Sequence, residues 1–312
     1  MSTAALTPAG QPSGRPAGHS SGQSSGQSSH QSPGRPWGPS SGPSSGWRGL
    51  RAAGRPVADA LTSATRVLLH YRHAPGLVAA SLLVPMVMVV VFGYVFGSAM
   101  NVPGGGSYRE YLMPGLFAMV AVNGIMPTMV GAARDLDRGA ADRIRSLPVS
   151  RAGVLLGTAL ADLLVSAVVL VPLAAIGLLS GWRIHRGAGP ALAAFGLLLL
   201  FRFVLTWLGT CLGLAAGREE LASQLAVLTF PFAMVTNIFV PAEGMPGWLR
   251  TVAEWNPVSA LVAACRELFG NPATVGRAWP LEHPVTAALG WSALLLLVCV
   301  PLAVRGYTRH GR

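Results

Sequence analysis

The sequence predicts an all-α protein that crosses a membrane several times, and two observations carry that prediction. Apolar residues make up 51% of the chain and charged residues only 11%, with a mean hydropathy of +0.49. Nearly uncharged runs of about 20 residues, the length that a helix needs to cross the hydrocarbon core, recur along the chain. They predict six membrane-spanning helices, at about 77–97, 112–133, 153–180, 191–216, 221–241 and 285–304.

The region before the first span divides into two parts. Residues 1–55 are rich in Ser, Gly and Pro and predict a disordered tail, because they bury too little apolar surface to offset the entropy of ordering. Residues 56–74 carry apolar residues at helical spacing, which predicts an amphipathic helix in the headgroup region. An ordinary extension of the first span is the alternative. The membrane domain is predicted to cover residues 56–308.

The placement of arginine predicts the orientation in the membrane. The chain contains no lysine, so all 23 basic residues are arginine. Sixteen of them lie on the side of the two termini and six on the opposite side, while Arg202 lies within a span. Because positive residues are retained on the cytoplasmic side, both termini are predicted to be cytoplasmic.

The composition also excludes several kinds of function. A chain without lysine has neither a Walker A phosphate-binding loop nor a Schiff-base lysine. Cys211, Cys265 and Cys299 lack the spacing of a metal site, a redox motif or a disulfide framework. No zinc-protease or nucleophile-elbow motif is found. The chain is therefore predicted not to be an enzyme and to hold no cofactor or metal, and its net charge of +11 is interpreted as membrane orientation rather than nucleic-acid binding.

Residues 134–151, RDLDRGAADRIRSLPVSR, concentrate charge between spans two and three. Five arginines alternate with three aspartates there. The arginines could be explained by membrane orientation alone. The aspartates could not, because acidic residues contribute little to the orientation of a membrane protein. Ile144 and Leu147 add a small apolar edge at helical spacing. The segment therefore predicts either a topology determinant or a short helix that docks on a partner protein.

The predicted outer loop between spans five and six contains two short helical patterns. They lie on either side of Asn256 and Pro257, and each is too short to span the membrane yet too apolar to lie free in water. Short interfacial or re-entrant helices fit this pattern. Trp248 and Trp255 are typical of the aromatic belt of a membrane protein.

A few polar residues fall within the predicted spans, where ionisable groups are costly and their default interpretation is functional. Asp162 lies in span three and Arg202 in span four. They form an ion pair, face separate polar surroundings, or line a transport path, and the sequence leaves all three open. Asn123 and Asn237 either line that path or form interhelical hydrogen bonds. Proline inside several spans marks candidate hinges, with Pro231 the best placed.

Residues 229–268, TFPFAMVTNIFVPAEGMPGWLRTVAEWNPVSALVAACREL, and residues 143–157, RIRSLPVSRAGVLLG, carry a family pattern. They resemble the permease subunits of type-2 ABC exporters, in particular the daunorubicin-resistance-like permeases of actinobacteria. The resemblance covers roughly residues 56–308. The residues that match the family's outer-loop signature are Pro241, Met245, Pro246, Trp248, Leu249, Asn256, Pro257 and Arg266.

This resemblance implies six spans, a second permease copy as a homodimer, and a separate ABC ATPase subunit that binds ATP and Mg²⁺. It also implies that the charged segment 134–151 contains a coupling helix that sits in a groove of the ATPase. The candidate contact residues are Arg134, Asp135, Asp137, Asp142, Arg143 and Arg145.

The expected function is multidrug efflux or antibiotic resistance, in which a hydrophobic drug or secondary metabolite leaves the cell through a bacterial plasma membrane. Membrane lipid and the transported molecule are the further expected partners, and nucleic acid is not expected. Export of a lipid or a glycan is an alternative within the same class. An ion-coupled secondary transporter that uses Asp162 and Arg202 is an alternative from another class.

Overall fold

The computed structural model describes residues 75–95, 97, 102, 105–137, 151–273 and 278–309. Throughout this part of the chain the regular structure is helical, without a strand. The predicted tail 1–55 and amphipathic helix 56–74 lie outside the described residues, as do residues 138–150 of the charged segment.

The described residues form helices that follow one another with short connections. These are α1 Pro75–Val90, α2 Tyr108–Asn123, α3 Ile125–Asp137, α4 Arg151–Leu179, α5 Ala188–Ala216, α6 Glu219–Val227, α7 Thr229–Met234, α8 Gly247–Trp255, α9 Pro257–Phe269, α10 Trp279–Glu282 and α11 Pro284–Arg309. A π-helical turn, Val91–Val95, continues α1, and a 3₁₀ turn, Ala242–Gly244, precedes α8.

Four helical stretches in the described residues are long and apolar enough to cross a membrane. They correspond to predicted spans two, three, four and six: Tyr108–Asp137, Leu156–Leu179, Ala188–Ala216 and Pro284–Gly306. A shorter apolar helix, Leu82–Val95, falls within predicted span one. The chain is thus an all-α, multi-pass membrane protein.

The second of the predicted spans is broken in its middle, at Gly124. α2 ends at Asn123 and α3 begins at Ile125. In an unbroken helix the carbonyl of Asn123 would accept from the N–H of residue 127, but Pro127 has no N–H and its ring crowds that carbonyl. The regular hydrogen-bond pattern is therefore interrupted at this position.

The predicted fifth span, 221–241, differs from the single helix that its hydropathy suggests. α6 ends at Val227, four residues before Pro231. Pro231 has no N–H to donate to the carbonyl of Val227, and its ring crowds that carbonyl. α7 follows, and residues 235–241 are irregular. Glu219 contacts Arg134 at the end of α3, and the carbonyl of Phe239 accepts from Tyr108 at the start of α2. The broken segment therefore runs the full length of α2 and α3.

The two short helices expected after this segment are α8 and α9, and the sequence locates the boundary between them. Asn256 caps α9, since its Oδ1 accepts from the N–H of Val258 at 2.9 Å. Pro257 occupies the first turn of α9, where a missing N–H costs nothing. Gly270 ends the helix with a φ of 76°, a left-handed conformation that glycine adopts without strain.

Helix α5 is the centre of the bundle and packs against α2, α3, α4, α9 and α11. Its approach to α3 depends on glycine, because a Cβ at Gly213 would overlap the carbonyl oxygen of Met129 and one at Gly209 would lie 3.0 Å from that of Ile125. Toward the same end, Trp207 and Leu214 of α5 pack on Cys299 and Ala303 of α11.

Aromatic side chains fill the bundle where α2, α9 and the α4–α5 connection meet. Trp182 and Phe269 lie edge to face with ring centroids 5.0 Å apart, and Phe117 lies 5.1 Å from Trp182. The indole N–H of Trp182 donates to Asn271 Oδ1 at 2.8 Å. This packing fixes α9 in the core, although it is too short to span a membrane.

Candidate functional site

Three features of the bundle are candidates for function: a polar cluster at the helix break, a polar network around Arg266, and an apolar cavity between them. At the break, Arg202 of α5 is 3% exposed and its Nη2 lies 3.1 Å from Asp162 Oδ2 of α4. Ser166 Oγ accepts from Arg202 Nε at 3.1 Å. The two intramembrane charges are therefore neighbours, as the first of the three sequence-based alternatives has it.

The same cluster reaches the broken span. Thr128 Oγ1 of α3 lies 2.9 Å from Asp162 Oδ2 and 2.9 Å from the carbonyl oxygen of Gly124, so its one proton is shared between two acceptors. The guanidinium of Arg202 lies against Gly124, so closely that a Cβ there would overlap its central carbon. The polar cluster, defined here as Thr128, Asp162, Ser166 and Arg202, thus connects α3, α4 and α5 at the point where α2 gives way to α3. The side chain of Asn123 beside it is exposed.

The second feature surrounds Arg266 of α9, which is fully buried. Its Nε donates to the carbonyl of Tyr111 at 3.0 Å, and its Nη2 donates to the carbonyls of Asn237 and Ile238 at 2.9 and 3.2 Å. The guanidinium also lies over the ring of Tyr111, 3.6 Å from the centroid. Arg266 therefore provides hydrogen-bond donors for the carbonyls of the buried, irregular residues 237 and 238 and for that of Tyr111 in α2.

Neighbouring side chains complete this network. Tyr111 Oη donates to the carbonyl of Asn237 at 3.0 Å and Tyr108 Oη to that of Phe239 at 2.7 Å. The N–H of Asn237 donates to Ser259 Oγ at 3.2 Å. Asn256 Nδ2 donates to the carbonyl of Val235 at 3.2 Å. The outer network, as we name these residues together with Arg266, holds residues 235–239 in place where a regular helix would satisfy its own backbone.

The third feature is an apolar cavity of about 350 Å³ between α2, α3, α5, α6, α7, α9 and α11. The side chains around it are uncharged, and most are aliphatic or aromatic: Val122, Ile125, Met129, Phe201, Leu205, Leu208, Leu212, Leu225, Leu228, Thr229, Phe232, Ala233, Asn256, Pro257, Val258 and Leu295. Its two polar side chains are already engaged, since Thr229 donates to the carbonyl of Ala226 and Asn256 bonds to Val235 and Val258. The cavity thus offers volume and apolar contact rather than directed hydrogen bonds.

The described part of the charged segment lies at the end of α3. Arg134 Nε donates to Glu219 Oε1 at 2.9 Å, which ties α3 to the start of α6. Met129 and Ala133 of α3 pack on Ala222 and Ala226 of α6 beside this pair. Asp135 and Asp137 are exposed. The remaining predicted contact residues, Asp142, Arg143 and Arg145, lie outside the described residues.

The site residues predicted from the sequence thus lie in different parts of the structure. Asp162 and Arg202 come together, whereas Asn237 belongs to the outer network and Asn123 to the exposed edge of the break. Of the signature residues, Asn256 and Arg266 are buried in the outer network. Pro241, Met245 and Pro246 precede α8 and Trp248 lies in its first turn, and all four are half-buried or exposed.

Sequence reasoning missed several members of these sites. Thr128, Ser166 and Gly124 complete the polar cluster, and Tyr108 and Tyr111 complete the outer network. Thr128 and Ser166 could have been found from the sequence, because a hydroxyl group inside a predicted span needs a hydrogen-bond partner. Arg266 was named as an outer-loop charge and as a residue of the family pattern, but its position four residues before a helix-ending glycine does not indicate that it is buried.

Comparison with known proteins agrees with this architecture. The model of the ABC-2 type transporter family matches residues 60–269. A daunorubicin resistance ABC transporter permease protein of Streptomyces coeruleorubidus is 31% identical over 264 residues, which cover 83% of this chain and 90% of that protein. A probable doxorubicin resistance ABC transporter permease protein of Mycobacterium tuberculosis is 24% identical over 81% of this chain and 89% of its own length.

A more distant relative is a probable multidrug ABC transporter permease of Escherichia coli, 23% identical over 60% of this chain and 51% of that protein. These relatives are named as permeases, the membrane component of such transporters, and the family implies an ABC ATPase as partner. The family model covers more than half of the chain, including the broken span two and the outer network. The chain belongs to the ABC-2 type transporter family.

Proposed function

We propose that the chain is the permease subunit of an ABC exporter that moves a hydrophobic small molecule, such as a drug or secondary metabolite, out of a bacterial cell. The observation that carries the proposal is the apolar cavity within the bundle. Its volume lies in the range of pockets that hold small ligands, about 300–1,000 Å³. Because its surroundings are uncharged, it favours an uncharged or largely apolar molecule.

The energy for transport would come from a separate ATPase that binds ATP and Mg²⁺, because a chain without lysine has no Walker A loop of its own. The described start of the segment 134–151 supports a docking role. Asp135 and Asp137 are exposed at the end of α3, where a partner could reach them. Arg134 is oriented by Glu219.

We infer six spans, with both termini cytoplasmic in the plasma membrane. α1 and its π-helical turn would form the first span. The broken segment from α6 to residue 241 would form the fifth, because it runs the full length of α2 and α3. The arginine distribution supports the orientation. We further infer that two copies of the chain pair in the transporter.

The proposal is tested with the permease purified from gently solubilised native membranes. We expect an ATP-binding protein to copurify with the wild-type chain and to be lost from a variant with the charges of residues 134–147 scrambled. A matched control exchanges Arg186 and Glu267 (Arg186→Glu with Glu267→Arg), an exposed ion pair outside residues 134–151, and should still bind the ATPase. Equal binding to wild type and the scrambled variant would remove the docking assignment, and absence of any ATPase would remove the proposal.

The energy source and the cargo are tested in proteoliposomes that contain the purified complex, with doxorubicin as a fluorescent probe. ATP-driven uptake into inside-out vesicles should stop with vanadate and persist when an ionophore collapses the proton gradient. The opposite pattern would favour an ion-coupled carrier. That alternative would use the Asp162 carboxylate, which here is engaged by Arg202 and Thr128.

A further inference from the structure

The break between α2 and α3 brings two helix ends together inside the bundle. α2 ends at Asn123 and α3 begins at Ile125, and in general the last carbonyl groups and the first N–H groups of a helix lack partners within it. A cation stabilises a carboxyl end and an anion stabilises an amino end, and both effects are strong where water is scarce. A charge of each sign beside the break would therefore favour a bend there over one straight helix.

The polar cluster supplies one charge of each sign in that arrangement. The guanidinium of Arg202 lies against Gly124, directly after the last residue of α2. The carboxylate of Asp162 is bound to Thr128, in the first turn of α3. Arg202 belongs to α5 and Asp162 to α4, so the pair joins both halves of the broken span to two unbroken helices.

The pair also lies directly behind the wall of the cavity. Val122 of α2 and Ile125 of α3, on either side of the break, line the cavity, as do Phe201 and Leu205 of α5 beside Arg202. Arg202 and Asp162 are not among its lining residues. A change in the bend would therefore move the wall without bringing a charge into contact with an apolar occupant.

Helix α3 connects this break to the charged segment 134–151, the proposed docking surface. It runs thirteen residues from Ile125 to Asp137, about 20 Å, without interruption. The backbone of α3 lies close to α5 at Gly213 and Gly209. Arg134, at the end of α3, pairs with Glu219. Movement of the segment 134–151 would reach Gly124 through this one helix.

We propose that the Arg202–Asp162 ion pair is a positioning element that sets the bend of span two at Gly124 and relays movement of the charged segment 134–151 to the cavity wall. The relay rests on the proposed function, whereas the setting of the bend does not. Neither residue lines the cavity in which the transported molecule would lie. They act through the helix ends that they stabilise.

The bend is measured by the distance between spin labels at Ser107 and Asp135, which flank α2 and α3, in the full-length cysteine-free chain in nanodiscs. Because Asp135 belongs to the proposed docking surface, the labelled chain must first be shown to copurify the ATPase as the unlabelled chain does. Gly124→Ala places a methyl group where the guanidinium lies. We expect it to shift or broaden the distance distribution as Arg202→Ala does. Gly131→Ala, on α3 with open space around it, is the matched control and should leave the distribution unchanged.

A double-mutant comparison separates the ion pair from general damage. Once Arg202→Ala has removed the guanidinium, adding Gly124→Ala should have no further effect, because the two substitutions act on one contact. The exchanged pair, Asp162→Arg with Arg202→Asp, keeps the attraction but sets each charge against the wrong helix end, and we expect it to fail to restore the wild-type distribution. Restoration would show that the helix ends play no part. An unchanged distribution in Gly124→Ala would overturn the positioning role.

The relay is tested by trapping the complex with ATP and vanadate. The wild-type distance should change on trapping, and this change should be lost in Gly124→Ala and retained in Gly131→Ala. A change that persists in Gly124→Ala would overturn the relay. If the wild type copurifies with no ATPase, the proposed function fails, while the distances measured without nucleotide still decide whether the pair sets the bend.

Discussion

Arg266 shows what a single arginine can do in this membrane domain. It donates to three carbonyl groups and lies over an aromatic ring, all within the fully buried interior. A planar guanidinium with several donors fits this arrangement, whereas an ammonium group is a point donor without the fork geometry. The role of Arg266 in this fold is therefore to provide hydrogen-bond donors for the backbone.

Arg266→Lys should therefore be costly despite keeping the charge. Lysine cannot reach all three carbonyls, and each buried polar group left without a partner costs about 1–3 kcal/mol. We expect a loss of about 2–4 kcal/mol in stability, read as a lower midpoint of thermal unfolding in detergent. Arg186→Lys is the control, since Arg186 is exposed in a loose pair with Glu267 at 3.7 Å. Equal midpoints for both variants would contradict the role of Arg266.

At the scale of elements, the contact between α3 and α5 depends on glycine at defined positions. Gly213 lies against the main chain of α3, whereas Gly196, also on α5, has open space around it. Both lie within the same helix, so alanine at either site gains similar helix propensity, up to about 1 kcal/mol. Only the environment of the two glycines differs.

Gly213→Ala should separate α3 from α5 and destabilise the protein by about 1–3 kcal/mol, because backbone must move to admit the methyl group. Gly196→Ala should be neutral or slightly stabilising. Thermal unfolding of the two variants, with copurification of the ATPase as a second readout, compares them directly. A stable Gly213→Ala variant with full ATPase binding would show that this close contact is dispensable.

At the scale of the whole molecule, filling the apolar cavity should block the proposed cargo without dismantling the bundle. Ala233 is buried and lines the cavity, so Ala233→Trp would occupy much of its volume. We expect ATP-dependent uptake of doxorubicin to fall about tenfold while the ATPase still copurifies. Leu192→Trp, at a 72% exposed position of α5, is the control and should transport normally. Normal uptake by Ala233→Trp would place the cargo elsewhere.

Hydropathy and turn residues predicted much of this architecture. The long helices α4, α5 and α11 begin and end within a few residues of the predicted limits, and Asn256 with Pro257 divides α8 from α9 as expected. Pro231 was named as the best hinge candidate, and α6 ends four residues before it, at Val227. The break at Gly124 was not located, because an apolar window reports the length of a run and not its hydrogen bonds. The sequence named Asp162 and Arg202 and left their pairing as one of three alternatives, because the choice depends on how α4 and α5 face each other.

The outer network has a consequence for how the chain is made. Residues 237 and 238 emerge from the ribosome 29 and 28 residues before Arg266, which binds their carbonyls. Until α9 is synthesised and packed, the N–H of Asn237 and the carbonyl of Ile238 lack the partners that Ser259 and Arg266 provide, which disfavours release of this stretch from the insertion machinery as an independent helix. We therefore expect the fifth span to be completed late in biogenesis, and truncation before α9 to leave it outside the bilayer.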